Sequence, residues 1–297
     1  MSAATTRSPS RSSEIAPIRV VGAGDAAYPA ALRDLPDPPD ELWWIGDWSV
    51  LQRPLVAVVG TRRATSYGLR ITREIAGALA RGGACVVSGM ALGIDGAAHR
   101  AALESNGPTI AVLGTGADVA YPRAHATLHR EILGRGLVIS ELPPGNRSHG
   151  GSFIKRNRII AALARLTIVI EAPFGSGALW TARMAMDLGR DLGIVPGPID
   201  SPQSQGANEF LRDGAHPIVA VADALCLAGL APERHAEPRV GDDVEMRIWA
   251  ALGDGAATLD ELCARSALPV AQCLTAITTL ELRGAIECAL TGQIRRR

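Results

Sequence analysis

Six short apolar runs recur along the middle of the chain: LVAVV (55–59), ACVVS (84–88), TIAVL (109–113), LVIS (137–140), LTIVI (166–170) and DLGIV (191–195). Each is continuous rather than alternating, the pattern of strands covered on both faces. Helical stretches lie between them at 67–81, 94–105, 123–134, 153–164 and 177–189. This alternation predicts βαβ units and an α/β fold with a doubly wound, mainly parallel sheet. Ahead of the first run, residues 18–54 carry Pro, Trp and turn signals, YPAALRDLPDPPDELWWIGD among them. They predict an irregular extension, packed on the main domain with its tryptophans as anchors.

The ends differ in character. Residues 1–17, MSAATTRSPSRSSEIAP, are rich in Ser, Thr and Arg but lack an amphipathic apolar face, and are expected to be a disordered tail rather than a transit peptide. The main domain is expected to span 18–230. The stretch 231–243, APERHAEPRVGDD, is polar with two prolines and predicts a linker. Residues 244–297 hold three helical stretches, then IECAL, a Thr-Gly turn and QIRRR, which predict a small winged-helix domain.

Composition adds limits more than chemistry. The chain is 47% hydrophobic over 297 residues, enough for a large core without disulfides. Its five cysteines form no C-x-x-C pair, so the plain expectation is reduced thiols in a cytoplasmic protein. No apolar run approaches the ~18 residues of a membrane span. The formal net charge is +0, yet residues 55–200 hold 16 Lys and Arg against 10 Asp and Glu. Lys155 is the single lysine among 30 basic residues, so arginine abundance by itself says little about a site.

In an open parallel sheet, ligands bind beyond the carboxyl ends of the strands. Four loops there are rich in glycine: GTRRATSYG (60–68), SGMALGIDGAAH (88–99), GTGADVAYPRAH (114–125) and EAPFGSGALWTAR (171–183). One such loop is as readily a tight turn, but four together point to a phosphate-bearing ligand cradled by backbone N–H groups. The candidates are Gly60, Gly89, Gly93, Gly114, Gly116, Gly175, Ser176 and Gly177. Neither G-x-G-x-x-G nor a Walker A lysine motif is present, and no cofactor is expected. Arg62, Arg123, Lys155, Arg156 and Arg158 fall at the same strand ends and helix starts, where cations can neutralise several phosphates. Three of them crowd the start of one helix in FIKRNRII (153–160), against the helix dipole. They cannot all point one way from a single turn, and Arg158 is the one expected to serve structure, with Asn157 fixing the loop.

Other polar residues have simpler readings. Asp95 is placed to cap a helix, and His99 to make a structural hydrogen bond. His125 and His129 stand four apart but lack a third ligand, so solvated histidines are expected rather than a metal site. Ser88 and Ser176 neighbour glycines without a G-x-S-x-G elbow, and no catalytic triad can be assembled.

In this order, GTRRATSYG, SGMALGIDGAAHRAAL, GTGADVAYPRAH, FIKRNRIIAALA, EAPFGSGALWTAR and VPGPIDSPQSQGANEFLRDGA resemble the DNA-processing protein A family (DprA, also called Smf). The resemblance covers about residues 18–230, and the C-terminal part resembles the winged-helix domain that many members carry. It implies a modified Rossmann domain that binds single-stranded DNA, forms homodimers and helps load RecA during natural transformation, without enzymatic activity. By motif position it implies DNA contacts at Arg62 in GTR and Arg123 in YPR. Extending them to Lys155, Arg156 and Arg158 rests on their place at the same rim. Leu92, His125 and Trp180 depart from the family pattern, putting the pocket's shape and affinity in question. Only about 50 residues precede the first apolar run, so the helical domain often found at the family's N-terminus is expected to be missing.

The competing reading is an enzyme acting on a nucleotide. Related phosphoribohydrolases use a P-G-G-x-G-T-x-x-E loop; here the comparable PFGSGALWTAR follows Thr181 with Ala182 and Arg183, so the proton-carrying carboxylate is missing. For a DNA binder, Tyr67, Tyr121 and Phe153 are the candidates for stacking on bases. In the winged-helix part, PVAQCLTAITTLELRG has one cation, Arg283, at its far end, which suits an accessory or protein-interaction role. Arg295, Arg296 and Arg297 form either a DNA-touching tail or a solvated end.

Overall fold

The computed structural model describes residues 17–148, 150–231, 242–253, 255–289 and 292–296. The expected tail lies outside these residues apart from Pro17, as does most of the expected linker. The chain divides into two compact units, cut between residues 232 and 233.

The first unit is built on a nine-stranded sheet. Two strands come first, β1 (Arg19–Gly22) and β2 (Glu41–Gly46). The six apolar runs follow as β3 (Leu55–Val59), β4 (Cys85–Ser88), β5 (Thr109–Leu113), β6 (Leu137–Ser140), β7 (Leu166–Val169) and β8 (Asp191–Ile194), and a two-residue β9 (His216–Pro217) ends the set. The order across the sheet is β1-β2-β6-β5-β4-β3-β7-β8-β9. From β6 to β9 every pairing is parallel, while β1–β2 and β2–β6 are antiparallel. The chain winds outward from β3 through β4 to β6, then returns to place β7 on the other side of β3. That reversal opens a crevice at the carboxyl ends of β3 and β7.

Helices α1 (Ser66–Arg81), α2 (Ile94–Glu104), α3 (Ala126–Arg135), α4 (Ser152–Leu163), α5 (Gly177–Asp187), α6 (Pro202–Arg212) and α7 (Val221–Leu227) cover both faces. Strand side chains alternate between the faces, and two cores follow. Ala57, Val59, Val87 and Val112 pack with Ile159 and Ile160 of α4, Ala182 of α5 and Phe210 of α6. Val56, Val58 and Val86 pack with Ile75 and Leu79 of α1, Ala98 of α2 and Leu225 of α7.

The extension is more ordered than its sequence predicts. Residues 41–46 pair with the edge of β6 and residues 19–22 pair with them in turn, adding two antiparallel strands. ELWWIG lacks clean alternation and sits among prolines, so only the available sheet edge reveals it as a strand. Its tryptophans do anchor it: Trp44 is buried against Trp48, ring centroids 4.7 Å apart.

The second unit is a winged helix. Helices α8 (Asp243–Leu252), α9 (Leu259–Ser266) and α10 (Val270–Leu282) precede a hairpin of β10 (Ile286–Cys288) and β11 (Ile294–Arg296). Ile248, Leu252, Leu262, Ile277, Leu280 and Ile286 form its core. Asp242 caps α8, and Thr258 with Glu261 forms a capping box on α9. Arg295 pairs with Glu287, and Arg296 lies over the Trp249 ring, 4.3 Å from its centroid. Arg297 falls outside the described residues.

His99 on α2 is fully buried. Its Nδ1 is 2.7 Å from Thr109 Oγ1, and Thr109 donates its own proton to the Val86 carbonyl, so Nδ1–H donates to Thr109. Burial, aided by the charges of His125 and Arg156, drives the imidazole pKa down to about 3. Below pH ~6.5 the unfolded chain therefore binds a proton that the folded chain refuses. From this group stability falls by ~1.4 kcal/mol per pH unit as pH drops from ~6.5 toward 3. His99→Asn, which keeps a donor toward Thr109, is expected to flatten urea-unfolding stability against pH in that window. Parallel curves for the two proteins would refute the assignment.

Candidate nucleic-acid interface

Beyond the carboxyl ends of β3 and β7 lies an open cleft of about 390 Å³. One wall is the loop 60–63 after β3, another is the α4 face of Phe153, Arg156 and Asn157, and the third is the loop 173–177 leading into α5. The first and third walls are tied together beneath the cleft. Thr61 N–H donates to the Glu171 carbonyl at 2.6 Å, and the buried Glu171 carboxylate accepts from Thr65 N at 2.9 Å and from the Thr65 hydroxyl.

The floor holds two buried groups of opposite charge, Arg156 and Asp95. Arg156 is only 4% exposed. Its guanidinium donates to the Gly89 carbonyl at 2.8 Å, to the Val112 carbonyl, and to Asn157 Oδ1 at 3.1 Å. Asp95 at the start of α2 supplies the opposite charge and itself accepts from Gly89 N at 3.2 Å and Ala91 N at 3.4 Å. Burial works against both charges. It raises the Asp95 carboxyl above its ordinary range, opposed by Arg156 and the two amides, and pulls Arg156 down to about 10, opposed by Asp95. The guanidinium stays protonated at neutral pH. Gly89 is required here because a β-carbon would run into the Arg156 guanidinium.

The rim carries exposed cations beside aromatic rings. Arg62 is exposed, with its guanidinium 5.4 Å from the centroid of Phe153. Phe153 meets Tyr121 with centroids 4.9 Å apart. Gly114 lies under the Phe153 ring, where a β-carbon would approach Cδ1 to 2.9 Å. Arg123 is exposed two residues beyond Tyr121, at the start of a single 3₁₀ turn (Arg123–His125). On the facing wall Phe174 is 64% exposed. The α5 helix begins there, with Ser176 accepting from Ala178 N at 3.3 Å. Thr181, buried below that helix start, lines the cleft with a hydroxyl that has no hydrogen-bond partner among the described residues.

The five cations singled out in the sequence thus divide three ways. Arg62 and Arg123 are exposed near the aromatic rings, and Arg156 lies beneath the cleft. Lys155 and Arg158 turn to another face of α4. Arg158 donates to Glu141 at 2.8 Å and to the Asp37 carbonyl at 3.0 Å, as a strut between α4 and the extension. Lys155 lies 3.7 Å from Glu141 and 3.8 Å from Asp37, with much of its side chain in water. Of the glycines, Gly93 and Gly116 are pressed against main-chain atoms of neighbouring loops and Gly60 against Ile94 and the Glu171 carbonyl, while Gly175 has open space around it and the Gly177 carbonyl accepts from Asn157 Nδ2 at 3.0 Å. The expected solvated histidines are buried instead: His125 Nδ1 is 2.9 Å from the Met90 carbonyl, and His129 Nε2 is 2.9 Å from that of Ala117. Each ring satisfies a loop carbonyl that the sequence could not locate. Phe174 escaped the sequence reading; its one signal is an aromatic set inside a Pro-Gly-Ser turn.

Comparison with known proteins follows the same division of the chain. The profile of the DNA recombination-mediator protein A family matches residues 19–228, and that of the DprA winged helix domain matches 231–289. A Mycobacterium tuberculosis protein carrying the DprA name is 44% identical over 240 residues, which are 78% of this chain; the chain spans only 62% of that relative's length. Protein Smf of Escherichia coli is 36% identical over 94% of this chain and 77% of its own. The X-ray structure of DNA processing protein A from Streptococcus pneumoniae superposes with a TM-score of 0.68 at 39% identity, covering 72% of this chain and 75% of that one. A Helicobacter pylori DNA processing protein A structure, solved for its single-stranded DNA binding mode, gives a TM-score of 0.64 at 34% identity over 70% of this chain and 94% of that one.

The floor pair sets a stability test. Removing one of two opposite buried charges leaves the other uncompensated, at a cost of up to about 3–5 kcal/mol. Arg156→Met and Asp95→Asn are each expected to lose stability on that scale. The double variant should lose clearly less than the sum, as read by urea unfolding in a double-mutant cycle. Simple additivity would show that the two side chains are not coupled.

Proposed function

The chain belongs to the DNA recombination-mediator protein A family, and from that premise we propose that it binds single-stranded DNA across the rim of the cleft. The observation that carries this reading is the Arg62 guanidinium stacked at Phe153, itself against Tyr121. A cation beside an aromatic pair offers a phosphate its charge and a base its stacking face. Arg123 and the open α5 start at Gly175, Ser176 and Gly177 extend the same surface, with Phe174 as a second platform. Arg156 shapes this surface from beneath, and Arg158 braces α4 behind it. Lys155 adds a partly screened charge to the far side of that helix.

The protein acts, in this proposal, without catalysis, as a homodimer in the cytoplasm that protects incoming strands and helps load RecA in recombination and natural transformation. The family's description as a recombination mediator supports that role. Among the described residues no helix is long and apolar enough to cross a membrane. A phosphoribohydrolase-like reaction is disfavoured by the carboxylates. Asp95 is the one acid among the described residues that line the cleft, and its carboxylate accepts from two backbone amides. Glu171 beneath is committed to Thr65.

Fluorescence anisotropy with oligo-dT against salt tests the proposal. Arg62→Ala is expected to weaken binding and to reduce the slope of log affinity against log salt by ~0.7, one phosphate contact. Phe153→Leu, which retains most of the volume, should cost ~1–3 kcal/mol of binding while leaving the slope unchanged. Wild-type affinity in Arg62→Ala would overturn the rim assignment.

A further inference from the structure

A second groove opens on the other side of Arg62, between the outer faces of α1 and α2. It measures about 420 Å³ and is lined by Arg62, Arg63, Arg73 and Arg100, with Glu104 at its far end. The spacing explains why these side chains meet. Leu69 and Arg73 are four apart on α1, while Ala97, Arg100 and Glu104 are three and four apart on α2, so each set lies along one helix face. Where the helices pack, the groove has small residues, Ala64, Gly93 and Ala97. Gly93 holds φ +77°, and a β-carbon there would collide with the Thr61 carbonyl, so the loops at the groove's head are packed main chain to main chain.

Its charge is unbalanced. Arg63, Arg73 and Arg100 are exposed, and none has an ion-pair partner among the described residues. The nearest acid in sequence to Arg73 is already committed, because Glu74 pairs with Arg70 at 3.0 Å. Four guanidinium groups against one carboxylate repel each other unless an anion lies between them. The groove is also continuous with the cleft, since Arg62 and Arg63 line both. Helix rise puts Arg73 ~10 Å along α1 from its first residue, so the cations form a track leading away from the cleft rather than a single point.

We propose that the α1–α2 groove takes the sugar–phosphate backbone of a single strand as it leaves the cleft, with Arg73 and Arg100 binding successive phosphates. This inference rests on the proposed DNA binding in the cleft. No aromatic side chain lines the groove, so it holds phosphates without stacking bases. The track therefore adds length-dependent, sequence-independent affinity. Glu104 marks its end, where like charge turns the strand away.

The test compares dT oligonucleotides of about 6 and about 30 nucleotides, by anisotropy over a salt series. Both arginines are surface residues on helices, and equal urea midpoints establish that the variants are folded. Arg73→Ala/Arg100→Ala is expected to bind the long oligonucleotide about tenfold more weakly, with the salt slope reduced by ~1.4, and to bind the short one as wild type does. Glu104→Gln should tighten the long oligonucleotide alone. Equal loss at both lengths, or no loss at either, overturns the groove assignment; in the second case an acidic protein surface becomes its occupant. If wild type binds neither oligonucleotide, the cleft reading fails and the groove falls with it. Loss in Arg62→Ala with no loss in the double variant sinks the groove alone.

Discussion

The architecture at the sheet edge depends on one guanidinium held out of water. Arg156 donates to carbonyls from the loop after β4 and from β5 itself, and its charge is answered from the start of α2 by Asp95. A buried cation is tolerated only when paired and hydrogen-bonded. Meeting those terms fixes three segments at once. Gly89 must lack a side chain, Asp95 must sit at the first turn of α2, and α4 must present Arg156 toward the sheet. Asp95 in turn collects two amides of the loop 89–91, so the loop is clamped from both ends of the pair.

The same constraint resolves the charge crowded at the start of α4. Successive helical residues diverge by 100°, so Arg156 cannot share a target with Lys155 and Arg158, which lie three apart on another face. Arg156 turns into the sheet edge. Lys155 and Arg158 turn to Glu141 and Asp37, and so bind α4 to the extension that supplies β1 and β2. The unfavourable dipole at this helix start is offset by these acids. Arg158 serves structure, as its place in the crowded turn predicted, and Lys155 joins it at the same two acids.

What could be read from sequence follows from how each feature is determined. The parallel strands were legible because burial on both faces leaves a continuous apolar run, whereas the switch between β3 and β7 depends on a strand order that the sequence reading did not give. The strand Glu41–Gly46 was not legible, because its identity depends on the free edge of β6. Glycine showed where chains come close but not what they approach: at Gly89 and Gly114 the neighbour is Arg156 or Phe153, not a ligand. His125 and His129 were misplaced into solvent because nothing local announces that Met90 and Ala117 need donors for their carbonyls. Arg62 stands exposed just past the end of β3, where its place after the first apolar run put it. Its companion Phe174 was not legible, because exposure of an aromatic ring is a tertiary property.

The distribution of pairing partners explains how a chain of net charge +0 can still present a cationic surface. In the winged-helix unit the arginines are largely committed: Arg283 to Glu245 at 2.7 Å, Arg295 to Glu287 at 2.9 Å, and Arg296 to the Trp249 ring and carbonyl. Its helix α10 exposes Val270, Leu274 and Leu282. In the first unit Glu141, Asp37 and Asp95 neutralise the cations that serve structure, and Arg62, Arg63, Arg73, Arg100 and Arg123 are left exposed. Acid has been spent on the scaffold and withheld from one edge. Net charge averages over that separation, so the physical signal for a polyanion lies in which arginines lack partners rather than in how many there are.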